Sequence, residues 1–196
     1  MNKTLIALSI AASAIVSASS AFAADGGQLD IAGLVSDETC KLLVNDGTAR
    51  DASIVLKTAT VSEVTAAGEV TNAAVGAKAA PFSITVDCSA LSDDDISENA
   101  NLSMGSTFFS NSKGTLNNDS SIATPATGTN IAIHEVSDTG AYTQVLVNNP
   151  TDVHTKEFTS KVATYNFMAS YVKANSTQAV GSGYVKTNAA YTVSYN

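Results

Sequence analysis

Basic residues are scarce in this 196-residue chain: 10 Lys and Arg stand against 18 Asp and Glu, for a formal net charge of -8. Holding a phosphate backbone takes clustered Lys and Arg that release counterions, so this composition argues against a nucleic-acid partner. Charge of either sign is sparse, at 14% of residues, where about 25% is usual. Helix-favouring Glu, Lys and Arg are few, which excludes a coiled coil, and the prominence of Ala, Val, Ser, Thr and Asn leans towards β structure. Trp is absent, and Pro occurs only at Pro81, Pro125 and Pro150. The apolar run near the start, Leu5 to Val16, covers 12 residues, too short for the roughly 20 that a membrane-spanning helix needs.

Signatures of catalysis are equally lacking. The chain has no G-x-S-x-G elbow, no H-E-x-x-H helix, no P-loop and no dinucleotide fingerprint, so neither catalytic residues nor a cofactor is assigned. Asp93-Asp94-Asp95 lacks the D-x-D-x-D-G spacing and closing Glu of a calcium loop, and reads as a solvated loop after Cys88. His134 alternates with Ile131, Ile133 and Val136 and reads as a surface-facing strand histidine.

What is present begins with a secretory plan. Lys3 supplies a positive n-region, Leu5 to Val16 the apolar h-region, and Ala21-Phe22-Ala23 an A-x-A cleavage site. Residues 1–23 are therefore expected to be removed, leaving 173 residues, which suits one domain. In an oxidising compartment the two cysteines, Cys40 and Cys88, most simply form one disulfide. Closing that loop is worth about 4 kcal/mol on the chain-entropy model. The competing reading, a zinc site, is weak because His134 and His154 lie outside any close ligand spacing.

Short or alternating apolar segments are the expected strands: Lys41 to Val44, Ser53 to Leu56, Phe82 to Cys88, Asn130 to Val136, Thr143 to Val147, Val162 to Val172 and Val185 to Tyr195. Turn signals such as Asn45-Asp46-Gly47, Asp138-Thr139-Gly140 and Asn148-Asn149-Pro150 separate them, which predicts an antiparallel sandwich or barrel. No helix is expected beyond the export signal. The Ser-, Thr-, Asn- and Gly-rich stretch Ser110 to Asn130 reads as a surface loop, since splitting the chain there would leave two sheets without cores.

The two ends are the informative part. Val185, Ala189, Tyr191, Val193 and Tyr195 share one face of the last expected strand, and this apolar edge requires a covering strand. At the other end, Leu29, Ile31, Gly33 and Val35 share one face of an extended segment that follows Gly26-Gly27. The nine residues Gln28 to Ser36 would extend about 30 Å.

This arrangement resembles the pilins of chaperone-usher fimbriae, particularly the type 1 and F17-like major subunits. The likeness covers the whole mature chain. It is carried by Gly27 to Val35 ahead of Cys40, by Pro81-Phe82-Ser83-Ile84-Thr85-Val86-Asp87-Cys88, by Tyr165-Asn166-Phe167-Met168-Ala169-Ser170-Tyr171, and by the ending Gly183 to Asn196 with Tyr195 penultimate. The resemblance implies an all-β, incomplete immunoglobulin-like sandwich lacking its last strand and completed by a donated one. It implies a division into signal peptide (1–23), N-terminal donor extension (24–36) and pilin domain (37–196). Leu29, Ile31, Gly33 and Val35 would then be donor residues, and Gly183, Val185, Ala189, Tyr191, Val193 and Tyr195 the acceptor groove and chaperone contact. The implied partners are identical subunits, a periplasmic chaperone, an outer-membrane usher and minor or tip pilins, in a surface fimbria supporting cell adhesion. A soluble lectin-like β-sandwich is the alternative, with a small exported hydrolase behind it.

Overall fold

The computed structural model describes residues 40–92, 94 and 96–195. Nine strands and one short helix follow in chain order: β1 (Lys41–Val44), α1 (Val61–Ala67), β2 (Ala77–Asp87), β3 (Asn99–Gly105), β4 (Leu116–Asn117), β5 (Thr129–Val136), β6 (Tyr142–Gln144), β7 (His154–Glu157), β8 (Val162–Lys173) and β9 (Ala190–Ser194). One sheet has the order β1-β2-β8-β5-β4, with β6 also on β5, and the other the order β7-β3-β9. Every pairing between these strands is antiparallel.

Period-two alternation builds the core between the sheets. In β3, Ala100, Leu102 and Met104 are buried while the residues between them are half-exposed. In β2 and β8 the register sets Phe82 opposite Phe167, Ile84 opposite Tyr165 and Val86 opposite Ala163. Phe167 stacks on Phe82 at 5.2 Å and lies 6.2 Å from Tyr165. Each such buried apolar side chain contributes roughly 1.5–3 kcal/mol relative to exposure.

The expected strands at Lys41 to Val44, Phe82 to Cys88, Asn130 to Val136 and Val162 to Val172 coincide with β1, β2, β5 and β8. The last expected strand shortens to β9, and Thr143 to Val147 to β6, although Val145 still donates to the Ile133 carbonyl at 2.9 Å. Ser53 to Leu56 carries no ladder pairing. β3, β4 and β7 were not expected: Asn-Ala-Asn-Leu-Ser-Met-Gly and His-Thr-Lys-Glu are poor in β-branched residues, and the neighbouring strands rather than propensity hold them extended.

Three further expectations are corrected. A helix does exist: Thr60 caps α1 in a capping box, its hydroxyl accepting from Glu63 N–H while the Glu63 carboxylate accepts from Thr60 N–H at 2.8 Å. Ser110 to Asn130 is not a surface loop throughout, since Thr115 and Leu116 are buried and β4 pairs with β5. His134 does not face the surface. It is fully buried, its Nε2 2.8 Å from the Thr71 carbonyl, because the segment after α1 lies over the outer face of β5. Of the acidic run, Asp94 is exposed, and Asp93 and Asp95 lie outside the described residues.

Candidate functional site

Among the described residues the side of the sandwich between β9 and β1 is open, because β9 is the edge of one sheet and β1 the edge of the other. A cavity of about 800 Å³ occupies it, floored by core residues that include Val44, Ile84, Met104, Ile133 and Ala169. Arg50–Leu56 form one wall and Val185–Tyr191 the other.

Both walls are extended backbone with an outward edge. In the first, Ile54 and Leu56 pack on the core while Val55, between them, is 84% exposed. In the second, Lys186 N–H donates to the Asn118 side chain at 2.8 Å, and the Lys186 carbonyl accepts from Asp119 N–H at 2.8 Å. Tyr184 turns the same way, to Thr124 and Ala126. In an extended chain successive residues present their N–H and C=O to opposite edges. Val185, Thr187 and Ala189 therefore present theirs to the groove. The Thr187 hydroxyl is buried and meets no partner among the described residues.

Two tyrosines tie the last strand and its end to the segment Cys40–Arg50. Tyr191 donates its hydroxyl to the Arg50 carbonyl at 2.7 Å, and Tyr195, two alternations further on and just past the end of β9, accepts from Cys40 N–H at 3.3 Å. Burial, with Asp51 beside it, pushes the Tyr191 phenol up, so it stays protonated and able to donate at ordinary pH.

Of the residues singled out from the sequence, Val185, Tyr191, Val193 and Tyr195 are half-buried against the core. Ala189 is exposed on the groove wall. Gly183 lies outside the cavity, where the chain crosses Thr124–Ala126 so closely that a Cβ would stand 2.4 Å from Ala126 N and 2.5 Å from the Thr124 carbonyl oxygen. These are backbone atoms and cannot rotate away. Gly183→Ala is expected to lower stability by about 1–3 kcal/mol, read as a fall in the urea midpoint; an unchanged midpoint would contradict the close crossing. Cys40 and Cys88 are joined in a disulfide. Leu29, Ile31, Gly33 and Val35 lie outside the described residues. Sequence reading missed Arg50, Ile54, Leu56 and Thr187 as groove residues. The parity of the Val185–Tyr195 alternation already carried Thr187.

Among the described residues no cluster of His, Cys, Asp and Glu is arranged to hold a metal, and no helix is long and apolar enough to cross a membrane.

A search of curated proteins returns no match. Among solved structures, the chain is similar to a subunit in the structure of a chaperone-usher pilus, at 16% identity and a TM-score of 0.58 over 87% of this chain and 96% of that one. It is likewise similar to the P pilus rod subunit PapA, at 15% identity and a TM-score of 0.55 over 80% and 99% of the two chains. Both likenesses concern the fold, and they identify the open sandwich as the incomplete immunoglobulin-like fold of pilins. The model of the fimbrial protein family matches residues 28–196, and this chain therefore belongs to that family, as a structural subunit that assembles with others into a pilus on the bacterial surface after export through the periplasm.

Proposed function

We propose that the groove is the acceptor of a β-strand supplied by another polypeptide. Residues 1–23 act as the export signal and are removed. A periplasmic chaperone first fills the groove with a strand of its own; at an outer-membrane usher, residues 24–36 of the next subunit take its place. Leu29, Ile31, Gly33 and Val35 then point to the floor, Val185, Ala189 and Tyr191 meet them along the second wall, and Val193 and Tyr195 continue the acceptor edge beyond it. Repetition gives a homopolymer, joined to minor or tip pilins and serving cell adhesion.

The observation that carries this reading is the pair of edges, Ser53–Leu56 and Val185–Ala189, that have no ladder partner among the described residues and face each other above an apolar floor. A strand inserted between them would lie about 4.8 Å from each wall, the ordinary spacing of neighbouring strands. Such a strand would give the backbone groups of both walls partners and cover the apolar floor, the β-addition mode of recognition. The Tyr191 hydroxyl would then exchange its place on the Arg50 carbonyl with the entering backbone.

A peptide of residues 28–36 offered to the purified full chain tests this. It is expected to bind and raise the urea midpoint, whereas the same peptide with Ile31→Asp, which would bury an unpaired charge, should bind at least about 10-fold more weakly. Equal binding of the two peptides would sink the donor assignment.

A further inference from the structure

The clearest cluster of ionisable side chains outside the groove lies at the opposite edge of the smaller sheet. His154 opens β7, the edge strand on the far side of β3 from β9, and its side chain is 5% exposed. Its Nδ1 is 2.5 Å from the Glu135 carboxylate on β5, and its Nε2 is 3.2 Å from an Asp152 oxygen in the turn before β7. That Asp152 oxygen is held in place by the Leu146 N–H at 2.6 Å. The Phe167 ring of β8 closes another side, edge-on at 6.3 Å.

A neutral imidazole has one N–H and one lone pair, whereas an ionised carboxylate only accepts. With a carboxylate at each ring nitrogen, a neutral ring would set one nitrogen lone pair against an oxygen lone pair. The imidazolium alone donates in both directions. The other charged groups nearby are engaged elsewhere or face away: Lys156, on β7, pairs with Asp138 at 2.7 Å, and Glu157 is exposed. Burial, with Glu135 near it, pushes the Tyr165 phenol of β8 up, so that group stays neutral. β3 brings Asn101 and Leu102 alongside His154 and no titratable group.

We propose that protonated His154 is a charged clasp between the two sheets, spanning from β7 to Glu135 on β5, and that it makes this subunit more stable in acidic surroundings than in mildly alkaline ones. Burial pushes the imidazole down, but the hydrogen bonds and charges of Glu135 and Asp152 outweigh it and raise the group above its ordinary 6.5. A group raised on folding contributes stability that is complete below its unfolded value and is lost as the pH rises through its folded value. The window therefore opens near 6.5 and extends upward. The clasp is remote from the groove and does not depend on strand donation.

The test is urea unfolding of the purified full chain from about pH 5 to about pH 9, with imidazole titration by NMR. The chain has two histidines, so His154→Gln assigns the signals. One imidazole is expected to titrate above the ordinary value, and its signal should be missing in His154→Gln. The folding constant should fall by up to about tenfold per pH unit across the window in the parent chain, as one linked proton requires, and stay flat in His154→Gln. Glu135→Gln should lower the midpoint of the same signal. Should His154→Gln fail to fold, the signal that Glu135→Gln moves identifies His154 in the parent chain. A midpoint at or below the ordinary value, or equal pH slopes in parent and His154→Gln, overturns the clasp.

Discussion

Deleting residues 24–36 is expected to stop fibre growth while leaving the subunit folded and captured by its chaperone. The deletion ends before Cys40, so β1, the disulfide, both sheets and both groove walls keep every residue. On the proposed reading, the variant retains an acceptor and loses the strand it would give away. Expressed beside the parent chain, it should accept one strand and offer none, and so shorten fibres. Co-purification with the chaperone and an electron-microscopic count of fibre number and length check this. Loss of chaperone binding together with fibres would mean that residues 24–36 belong to their own domain. Fibres of normal number and length would refute donation.

Replacing Cys40 and Cys88 together by Ser is expected to cost about 2–5 kcal/mol, a large share of the roughly 5–15 kcal/mol that holds a domain folded. The bridge sits one residue beyond the Lys41–Asp87 pair that ends the β1–β2 ladder. Cys88 is fully buried and Cys40 nearly so, so the variant would also place two hydroxyls where sulfurs had packed. The urea midpoint should fall sharply and the periplasmic level with it. An unchanged midpoint, or free thiols in subunits taken from the cell surface, would contradict the bridge.

Legibility of the fold followed the apolar alternation. β1, β2 and β5 carry short apolar runs bounded by turn residues, while β8 combines β-branched and aromatic residues with a near period-two burial, and these four segments were recognisable from the sequence. β3 has the same alternation, yet Asn, Ala and Gly conceal it from propensity, and only pairing with β7 and β9 holds it extended. α1 was marked by Thr60-Val61-Ser62-Glu63, a capping signature on a helix of seven residues, too short to show a helical period. The error at His134 came from treating β5 as half-exposed. Its alternation with isoleucines indicates two different faces, but not that the segment after α1 covers the outer one. At the groove, Tyr191, Val193 and Tyr195 were legible as an inward face. The opposing wall was legible only as a strand at Ser53 to Leu56, because facing it across a gap is a matter of tertiary arrangement. The ring of contacts around His154 joins residues from three parts of the chain, and no local pattern announces it.

The position of the disulfide also decides how the subunit would carry tension. A pull arriving through the residues before Cys40 reaches the sulfur bridge before it reaches β1. Because Cys40 and Cys88 are 48 positions apart, the covalent bond passes the load to the end of β2. From there it spreads along the nine register pairs of β2 with β8. Peeling β1 away residue by residue is thus closed as a route of forced opening. At about 3.4 Å per residue, some 160 Å of chain between the cysteines stays stored inside the loop and cannot pay out. A stretched subunit would lengthen only from the part of the chain beyond Cys88, which gives single-molecule extension a short first step in the oxidised protein and a longer one after reduction.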